Sequence, residues 1–231
     1  MSPSKKVVKK PYKKRYTRKR RRLAPGMSVY NGNSNSPMFT KLRSRMIYTS
    51  DVAINLVSSL GNPGVYTFSL NGLYDPDLTG SGHQPRGFDQ LMLFYDHYIV
   101  IGANIRVDFC NVSTSTQALC FSSIKDSSVK STNLTDYTES SNTKWVILAS
   151  ESGGMSTKSM TLKVNPNKFL GRSHPLSDPQ LKGSNASNPN EGASLHVGAV
   201  CTDYFTASSV HIVVTIEYDT IFIEPKQVAQ S

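Results

Sequence analysis

Two aspartates separated by a single proline are the most conspicuous candidate ligands in the sequence, in the stretch YDPDLTG, and Asp89 follows a short distance downstream. Asp75 and Asp77 could supply the oxygen ligands that Ca²⁺ and Mg²⁺ prefer. Asp-Pro-Asp is also an ordinary turn sequence, in which aspartate side chains bond to their own backbone. We favour the turn, and we expect no metal and no other cofactor.

Histidines and cysteines could provide a zinc site or a nucleophilic centre, but their spacing favours neither. The five histidines are His83, His97, His174, His196 and His211, and the three cysteines are Cys110, Cys120 and Cys201. None has metal-ligand spacing, and the sequence has no nucleophile-elbow or phosphate-binding glycine motif. Residues distant in sequence could still converge, but the pattern predicts no catalytic residues and no enzyme. The odd cysteine count is typical of reduced, buried thiols in an intracellular protein.

Two single residues have both a structural and a functional interpretation. His97 follows a predicted helix, whose dipole would favour a cation there, so we expect a structural role. Trp145, the only tryptophan, could stack on a nucleic-acid base. It lies in an apolar run, and we expect it in the core.

Positive charge is concentrated at the start of the chain. Residues 1–22 contain 12 of the 26 basic residues and no acidic one, which leaves 14 basic against 16 acidic residues, a net charge of −2. A block of like charge without apolar periodicity repels itself, so we expect a disordered arm that a polyanion neutralises. Lysine and arginine bind phosphates strongly and without reading sequence.

The predicted nucleic-acid-binding residues of this arm are its cations and two tyrosines that could stack on unpaired bases. They are Lys5, Lys6, Lys9, Lys10, Tyr12, Lys13, Lys14, Arg15, Tyr16, Arg18, Lys19, Arg20, Arg21 and Arg22. The stretch KKRYTRKRRR has the composition of a nuclear-localisation signal as well, and the two interpretations are compatible.

The rest of the chain divides into a linker and one body. Residues 23–40 are rich in Gly, Pro, Asn and Ser and predict a flexible linker. Residues 41–231 have the length of a single domain. No stretch approaches the roughly 18 consecutive apolar residues of a membrane span, so we expect no membrane insertion.

Alternation of apolar and polar residues, together with two apolar runs, predicts about eight strands in the body. Alternation is clearest over 99–109 and 210–218, where only Val100 breaks the first pattern, and it recurs at 52–56, 66–70, 160–164 and 195–201. The apolar runs 117–121 and 144–150 have the length of strands and are expected to be more deeply buried. The parity of the last strand changes at Asp219–Thr220, which predicts a bulge or a change of partner, with Ile221 and Ile223 as the next apolar pair.

Two helices are predicted in the connections. Phe88, Leu91, Met92 and Tyr95 have helical spacing, and Asn165 followed by Pro166 is a helix start. The connections 71–87 and 172–193 are long enough to be functional. Eight strands, long loops and two short helices predict an all-β fold, a single eight-stranded jelly roll or β-sandwich.

The segment 69–109 resembles the capsid proteins of circular Rep-encoding single-stranded DNA viruses. It contains SLNGLYDPDLTGSGHQPRGFDQ followed by the strand YIVIGANIRVDF, and NPNKFLGRSH at 165–174 is similar to that group too. The matching motif residues are Asn71, Gly72, Asp75, Pro76, Asp77, Gly82, His83, Gln84, Pro85, Gly87, Phe88, Asp89 and Gln90. We assign them a structural role, with Gly72, Gly80, Gly82 and Gly87 adopting backbone conformations that side chains forbid.

This resemblance implies a viral coat protein. It would form a homo-oligomeric icosahedral shell of sixty copies around a circular single-stranded DNA genome. It implies residence in the virion and, during assembly, in the host nucleus, with host import machinery and an unknown cell-surface receptor as partners. A cellular basic-tailed RNA-binding β-protein and the coat of a small RNA virus are the alternatives. The net charge of the body disfavours the former, because such proteins usually carry cations on the globular part too.

Overall fold

The computed structural model describes residues 38–56, 61–80 and 82–227. Its eight strands are β1 (Lys41–Leu56), β2 (Gly64–Ser69), β3 (Tyr95–Asn111), β4 (Ala118–Lys125), β5 (Thr143–Leu148), β6 (Thr157–Val164), β7 (Ser194–Cys201) and β8 (Ser208–Pro225). Six of the strands lie where period-2 alternation predicts one, and β4 and β5 lie at the two apolar runs.

The strands form two four-stranded sheets. One, sheet A, has the order β1-β8-β3-β6, and the other, sheet B, has the order β2-β7-β4-β5. Every pair within the sheets is antiparallel, and the chain passes from one sheet to the other between most consecutive strands. This order is that of an eight-stranded jelly roll, which confirms the predicted fold class.

The core lies between the two sheets and is built by the alternation. Val210, Ile212, Val214 and Ile216 of β8 are all fully buried, and the residues between them are partly exposed. Two of the three cysteines, Cys120 and Cys201, are buried, Cys110 is half-buried, and all three are free thiols. Burial raises the pKa of the Cys120 thiol to about 12, so it behaves as a small apolar side chain.

The predicted irregularity of the last strand lies in its partner instead. The β3–β8 register shifts between Val100 and Gly102, so the bulge is in β3. It explains why Val100 is buried against the expected parity. The parity of β8 continues through Thr220 and Phe222, both fully buried, and the expected inward position of Ile221 was wrong.

The helices are shorter and more numerous than predicted. They are α1 (Phe88–Met92), α2 (Thr135–Thr138) and α3 (Pro166–Phe169), with a 3-10 turn at Pro179–Leu181. Asn165 caps α3 as expected, accepting a hydrogen bond from the backbone N–H of Lys168 at 3.1 Å. The prediction of only two helices was wrong because a four-residue helix such as α2 leaves no periodic signal.

Connection lengths separate the two ends of the sandwich. The three long connections, 70–94, 126–142 and 165–193, lie at one end, since each follows an even-numbered strand. The short connections 112–117, 149–156 and 202–207 lie at the other end. The motif of residues 71–90 therefore belongs to the end that carries the long loops.

Candidate functional site

The predicted nucleic-acid-binding arm, residues 1–22, lies outside the described residues, as does most of the linker. Its assignment stays a prediction from charge and composition. The structure does describe the whole motif segment apart from residue 81, and we call residues 71–90 the motif loop.

Asn71 fastens the start of the motif loop to the end of the connection before β7. Its side chain is buried, donates to the carbonyl oxygen of Glu191 at 2.7 Å and accepts from the backbone N–H of Ala193 at 3.1 Å. The backbone N–H of Leu70 also donates to the Ala193 carbonyl oxygen at 2.8 Å. A buried amide with both ends satisfied holds two loops in one register.

Asn188 makes a second link of the same kind. Its amide donates to the Asp75 carbonyl oxygen at 2.7 Å, and its side-chain oxygen accepts from the Asp75 backbone N–H at 3.0 Å. A Cβ on Gly72 would lie within 3.0 Å of the Asn188 side chain, so a side chain at position 72 would displace this link. The two long loops that sequence analysis singled out thus pack against each other.

Tyr98 of β3 anchors the centre of the motif loop. Its hydroxyl accepts from the backbone N–H groups of Leu73 at 2.9 Å and Tyr74 at 3.3 Å. Phe88 packs edge-on against its ring at 5.3 Å between centroids. Burial raises the pKa of Tyr98 well above its usual value, so the hydroxyl stays protonated at neutral pH.

Gly183 completes this anchor from the other long loop. Tyr98 and Gly183 exchange two backbone hydrogen bonds, of 2.9 and 3.0 Å. A Cβ on Gly183 would come within 3.0 Å of the buried Tyr98 ring. The close approach therefore requires glycine at this position.

The Asp75-Pro76-Asp77 stretch forms a turn. The Asp77 carboxylate is buried and accepts from the backbone N–H of Thr79 at 3.0 Å and from its hydroxyl at 2.6 Å. The Pro76 carbonyl oxygen accepts from the Ser69 N–H at 2.8 Å, and Asp77 forms an isolated bridge with Phe68. Burial and the neighbouring Asp77 raise the pKa of Asp75. Within the described residues, no group of three histidine, cysteine or acidic side chains could hold a metal.

His83 connects the motif loop to β1, and Gln84 forms a hydrogen bond within the loop. The two ring nitrogens of His83 face the carbonyl oxygens of Thr49, at 3.1 Å, and Gln84, at 2.9 Å. A neutral imidazole can donate to only one of these acceptors at a time. The Gln84 amide donates to the Tyr74 carbonyl oxygen at 3.1 Å.

The end of the motif loop starts α1. The buried Pro85 offers its carbonyl oxygen to the Phe88 N–H at 3.1 Å, and Gly87 takes a left-handed φ of 83° before the helix. Asp89 and Gln90 are exposed in the first turn of α1. Gly80 also has positive φ, at 79°, but Gly72 and Gly82 do not. At those two positions the constraint is space, since a Cβ on Gly82 would meet Asp77 and Tyr48.

The residues that hold the motif loop from outside give no signal in the sequence. Asn188 lies in the Asn- and Ser-rich stretch GSNASNPNEG, and nothing in that composition distinguishes it from its neighbours. Tyr98 was counted only as part of a strand. Composition and periodicity describe one segment at a time, so they do not reveal a contact between two loops about 100 positions apart.

The expected position of His97 at a helix end and the expected burial of Trp145 were both wrong. His97 lies within β3, not at a helix end, and its Nδ1 lies 2.7 Å from the carboxylate of Glu224, which also contacts Lys182 at 2.5 Å. The side chain of Trp145 is not in the core, since the residue is 54% exposed on β5. β5 is an edge strand with one open face, which an apolar run alone cannot reveal.

Three arginines on the open face of sheet A are paired with carboxylates. Arg43 contacts Asp219, Arg45 lies 3.6 Å from Glu217, and Arg106 donates to Asp108 at 2.9 Å. The Arg43 guanidinium lowers the pKa of Asp219. On this face the described residues therefore present mixed charge and no concentrated positive surface for phosphates.

The five histidines do not converge on one centre. His83 lies in the motif loop, His174 in the connection 165–193, and the other three in strands. Buried His196 lies 2.7 Å from the Ser127 carbonyl oxygen, and its desolvation lowers its pKa.

Among the described residues no helix is long and apolar enough to cross a membrane.

Comparison with known proteins finds likeness at the level of structure alone. No protein-family model and no curated protein matches the chain. Among solved structures it is similar to Mud crab tombus-like virus (10% identity, 96% of each chain, TM-score 0.45). It is also similar to a Macrobrachium rosenbergii nodavirus particle (10%, 94% of this chain and 100% of that one, 0.46). A third is a T=1 subviral particle of the Penaeus vannamei nodavirus capsid protein (12%, 81% and 99%, 0.46). These scores carry no functional argument, and the jelly-roll assignment rests on strand order.

Proposed function

We propose that this protein is a viral capsid protein that assembles into a closed shell and packages nucleic acid through its N-terminal arm. The observation that carries the proposal is the segregation of charge. A block of 12 cations without an acid precedes a jelly-roll body with a net charge of −2. A near-neutral body can pack against copies of itself without repulsion, while the arm neutralises phosphate.

In this proposal the arm binds phosphates electrostatically and does not read the nucleotide sequence. Each phosphate that a lysine or arginine neutralises releases a condensed counterion, so binding is strong and falls with added salt. If sixty copies line a shell, their arms supply about 720 positive charges. The body has a structural, non-enzymatic role in this proposal.

We propose single-stranded DNA as the packaged genome, with host nuclear import before assembly and an unidentified receptor on the cell surface. The resemblance of residues 69–109 is what favours DNA. The coat of a small RNA virus is the second candidate, because arm electrostatics do not distinguish DNA from RNA. None of the three structures named above is described as that of a DNA virus.

Expression of the full chain tests the proposal. We would separate the product by size at moderate salt, record the ratio of absorbance at 260 and 280 nm, and image the same fraction by negative stain. Uniform round particles with excess absorbance at 260 nm are expected, and digestion of the extracted nucleic acid by DNase or RNase decides between the two candidates. A nucleic-acid-binding monomer that forms no particle at any salt would favour the cellular RNA-binding protein.

A further inference from the structure

The sandwich has four edge strands. They are β1 and β6 of sheet A and β2 and β5 of sheet B. β1 begins with Lys41, Arg43 and Arg45, and β6 contains Lys158 and Lys163. Beside β2, the ammonium of Lys130 lies over the ring of Tyr66 at 5.7 Å from its centroid. Charges at an edge discourage pairing with the strand of another chain.

The edge strand β5 differs from the other three. Trp145 and Ile147 occupy alternate positions on its outer face and are 54% and 47% exposed. The one charged residue of the strand, Lys144, lies near its start and donates to the Thr161 carbonyl oxygen at 2.7 Å. Its ammonium is therefore directed toward β6 and does not cover the Trp145–Ile147 surface.

We propose that β5 pairs with β5 of a second copy of this chain, antiparallel across a two-fold axis. This inference rests on the proposed function, because it names one of the contacts between subunits of the shell. An edge strand presents unpaired backbone N–H and C=O groups along its length, and the partner strand satisfies them. Among the described residues, β5 pairs with β4 alone, so no described strand pairs with its other side.

The sequence of β5 is self-complementary in one register. Residues directly opposite in an antiparallel pair point to the same face, so an axis at Val146 places Trp145 opposite Ile147 of the partner. The same contact recurs on the other side of the axis, as a two-fold interface requires. Aromatic residues pair favourably with β-branched ones across strands. Lys144 falls opposite Leu148, so no like charges meet.

Other strand partners fit this edge less well. β1 and β6 carry three and two cations, so either strand would place more positive charge beside Lys144 than a second β5 does. An unrelated extended peptide would not reproduce the alternating Trp–Ile contact on both sides of one axis. The second copy is therefore the occupant that this strand favours.

Disulfide trapping tests the register directly. In full-length chains, Trp145→Cys and Ile147→Cys are made separately, mixed and assembled under mild oxidation. A mixed pair keeps one native Trp–Ile contact and places two cysteines opposite each other, at the Cα separation that a disulfide needs. The expected result is a cross-linked dimer in the mixture. Each variant alone gives none above background, because its cysteines are diagonal to each other.

The controls separate this inference from the coat proposal. Ile47→Cys on β1, 51% exposed, provides a matched exposed thiol that stays uncross-linked, and wild-type protein measures the native cysteines. Thermal unfolding of the reduced variants confirms that they fold. Shells without a dimer in the mixture would overturn β5 pairing and leave the coat proposal standing. A dimer without shells would support the pairing and count against the coat.

Discussion

The motif loop and the edge of β5 differ in whether their polar groups have partners and their apolar side chains are buried. In the motif loop, the amides of Asn71 and Asn188 and the hydroxyl of Tyr98 are bonded to backbone within the same chain. On β5, Trp145 and Ile147 remain exposed beside backbone groups that no described strand pairs. The polar groups of the first region are satisfied within one chain, whereas the second region would gain a partner through the proposed pairing with another copy.

This difference predicts that variants in the two regions affect different properties, stability in one and association in the other. Changes in the motif loop should lower the free energy of unfolding of the isolated subunit. Changes on the edge of β5 should leave that free energy unchanged and reduce association. A protein in which the two sets of variants had the same effect would contradict this division.

Gly183→Ala should have the largest effect on stability. The added Cβ would approach the buried Tyr98 ring within 3.0 Å, and neither the ring nor the paired backbone can move freely. We expect a loss of about 2–3 kcal/mol in the free energy of unfolding, measured by urea denaturation. Gly102→Ala is the matched control, because its Cβ would meet other atoms only at ordinary contact distances. Equal losses in both variants would contradict the anchor.

Asn71→Ala should cost slightly less. It leaves the buried N–H of Ala193 and the carbonyl oxygen of Glu191 without their partner, which predicts a loss of about 2 kcal/mol. Asn104→Ala, on an exposed position of β3, is the control and should change stability by less than about 0.5 kcal/mol. If Asn71→Ala and Asn104→Ala changed the free energy of unfolding equally, the link between the loops would not stabilise the fold.

The double variant Trp145→Thr with Ile147→Thr should change association more than stability. Both residues are surface positions, so the free energy of unfolding should move by less than about 0.5 kcal/mol. The fraction of assembled protein in sedimentation velocity should fall, because the contact across the axis loses its apolar groups. The same change at Ile47, Ile47→Thr, should leave assembly intact. A large loss of stability would instead identify Trp145 as part of the subunit's own packing.

The smallest effect should come from acid. His196 is buried against the Ser127 carbonyl oxygen and Tyr137, with Lys125 and Lys130 nearby, and its pKa is lowered. The unfolded chain therefore takes up this proton first, so stability is complete above about pH 6.5 and falls as the pH drops toward the lowered pKa. His196→Gln should lose less stability between pH 7 and pH 5 in urea denaturation. Equal losses would show that His196 does not contribute.

The sequence predicts the fold well because the fold depends on a local signal. Alternation located six strands, two apolar runs located β4 and β5, and Asn165–Pro166 located the start of α3. The bulge at Val100–Gly102 was assigned to the wrong strand, because the apolar types of Ile221 and Ile223 suggested a change of parity that β8 does not make. Trp145 was misplaced because an apolar run does not tell whether its strand is at an edge.

The sequence predicts the motif loop as a turn-rich connection, but it does not predict that this loop packs against a second long loop. The Asp77 turn follows from local chemistry, since a carboxylate reaches a backbone N–H two residues on. The links to Asn188, Glu191 and Gly183 join residues far apart in the chain. They depend on how the two loops meet, which only the folded structure shows.

The most direct test of the coat proposal compares the full chain with a chain lacking residues 1–22. Both would be purified as particles and their ratio of absorbance at 260 and 280 nm measured at equal particle number. The account predicts that the truncated body folds and that its particles are empty or unstable, because the 12 cations of the arm are gone. Truncated particles that contain as much nucleic acid as full-length ones would contradict it.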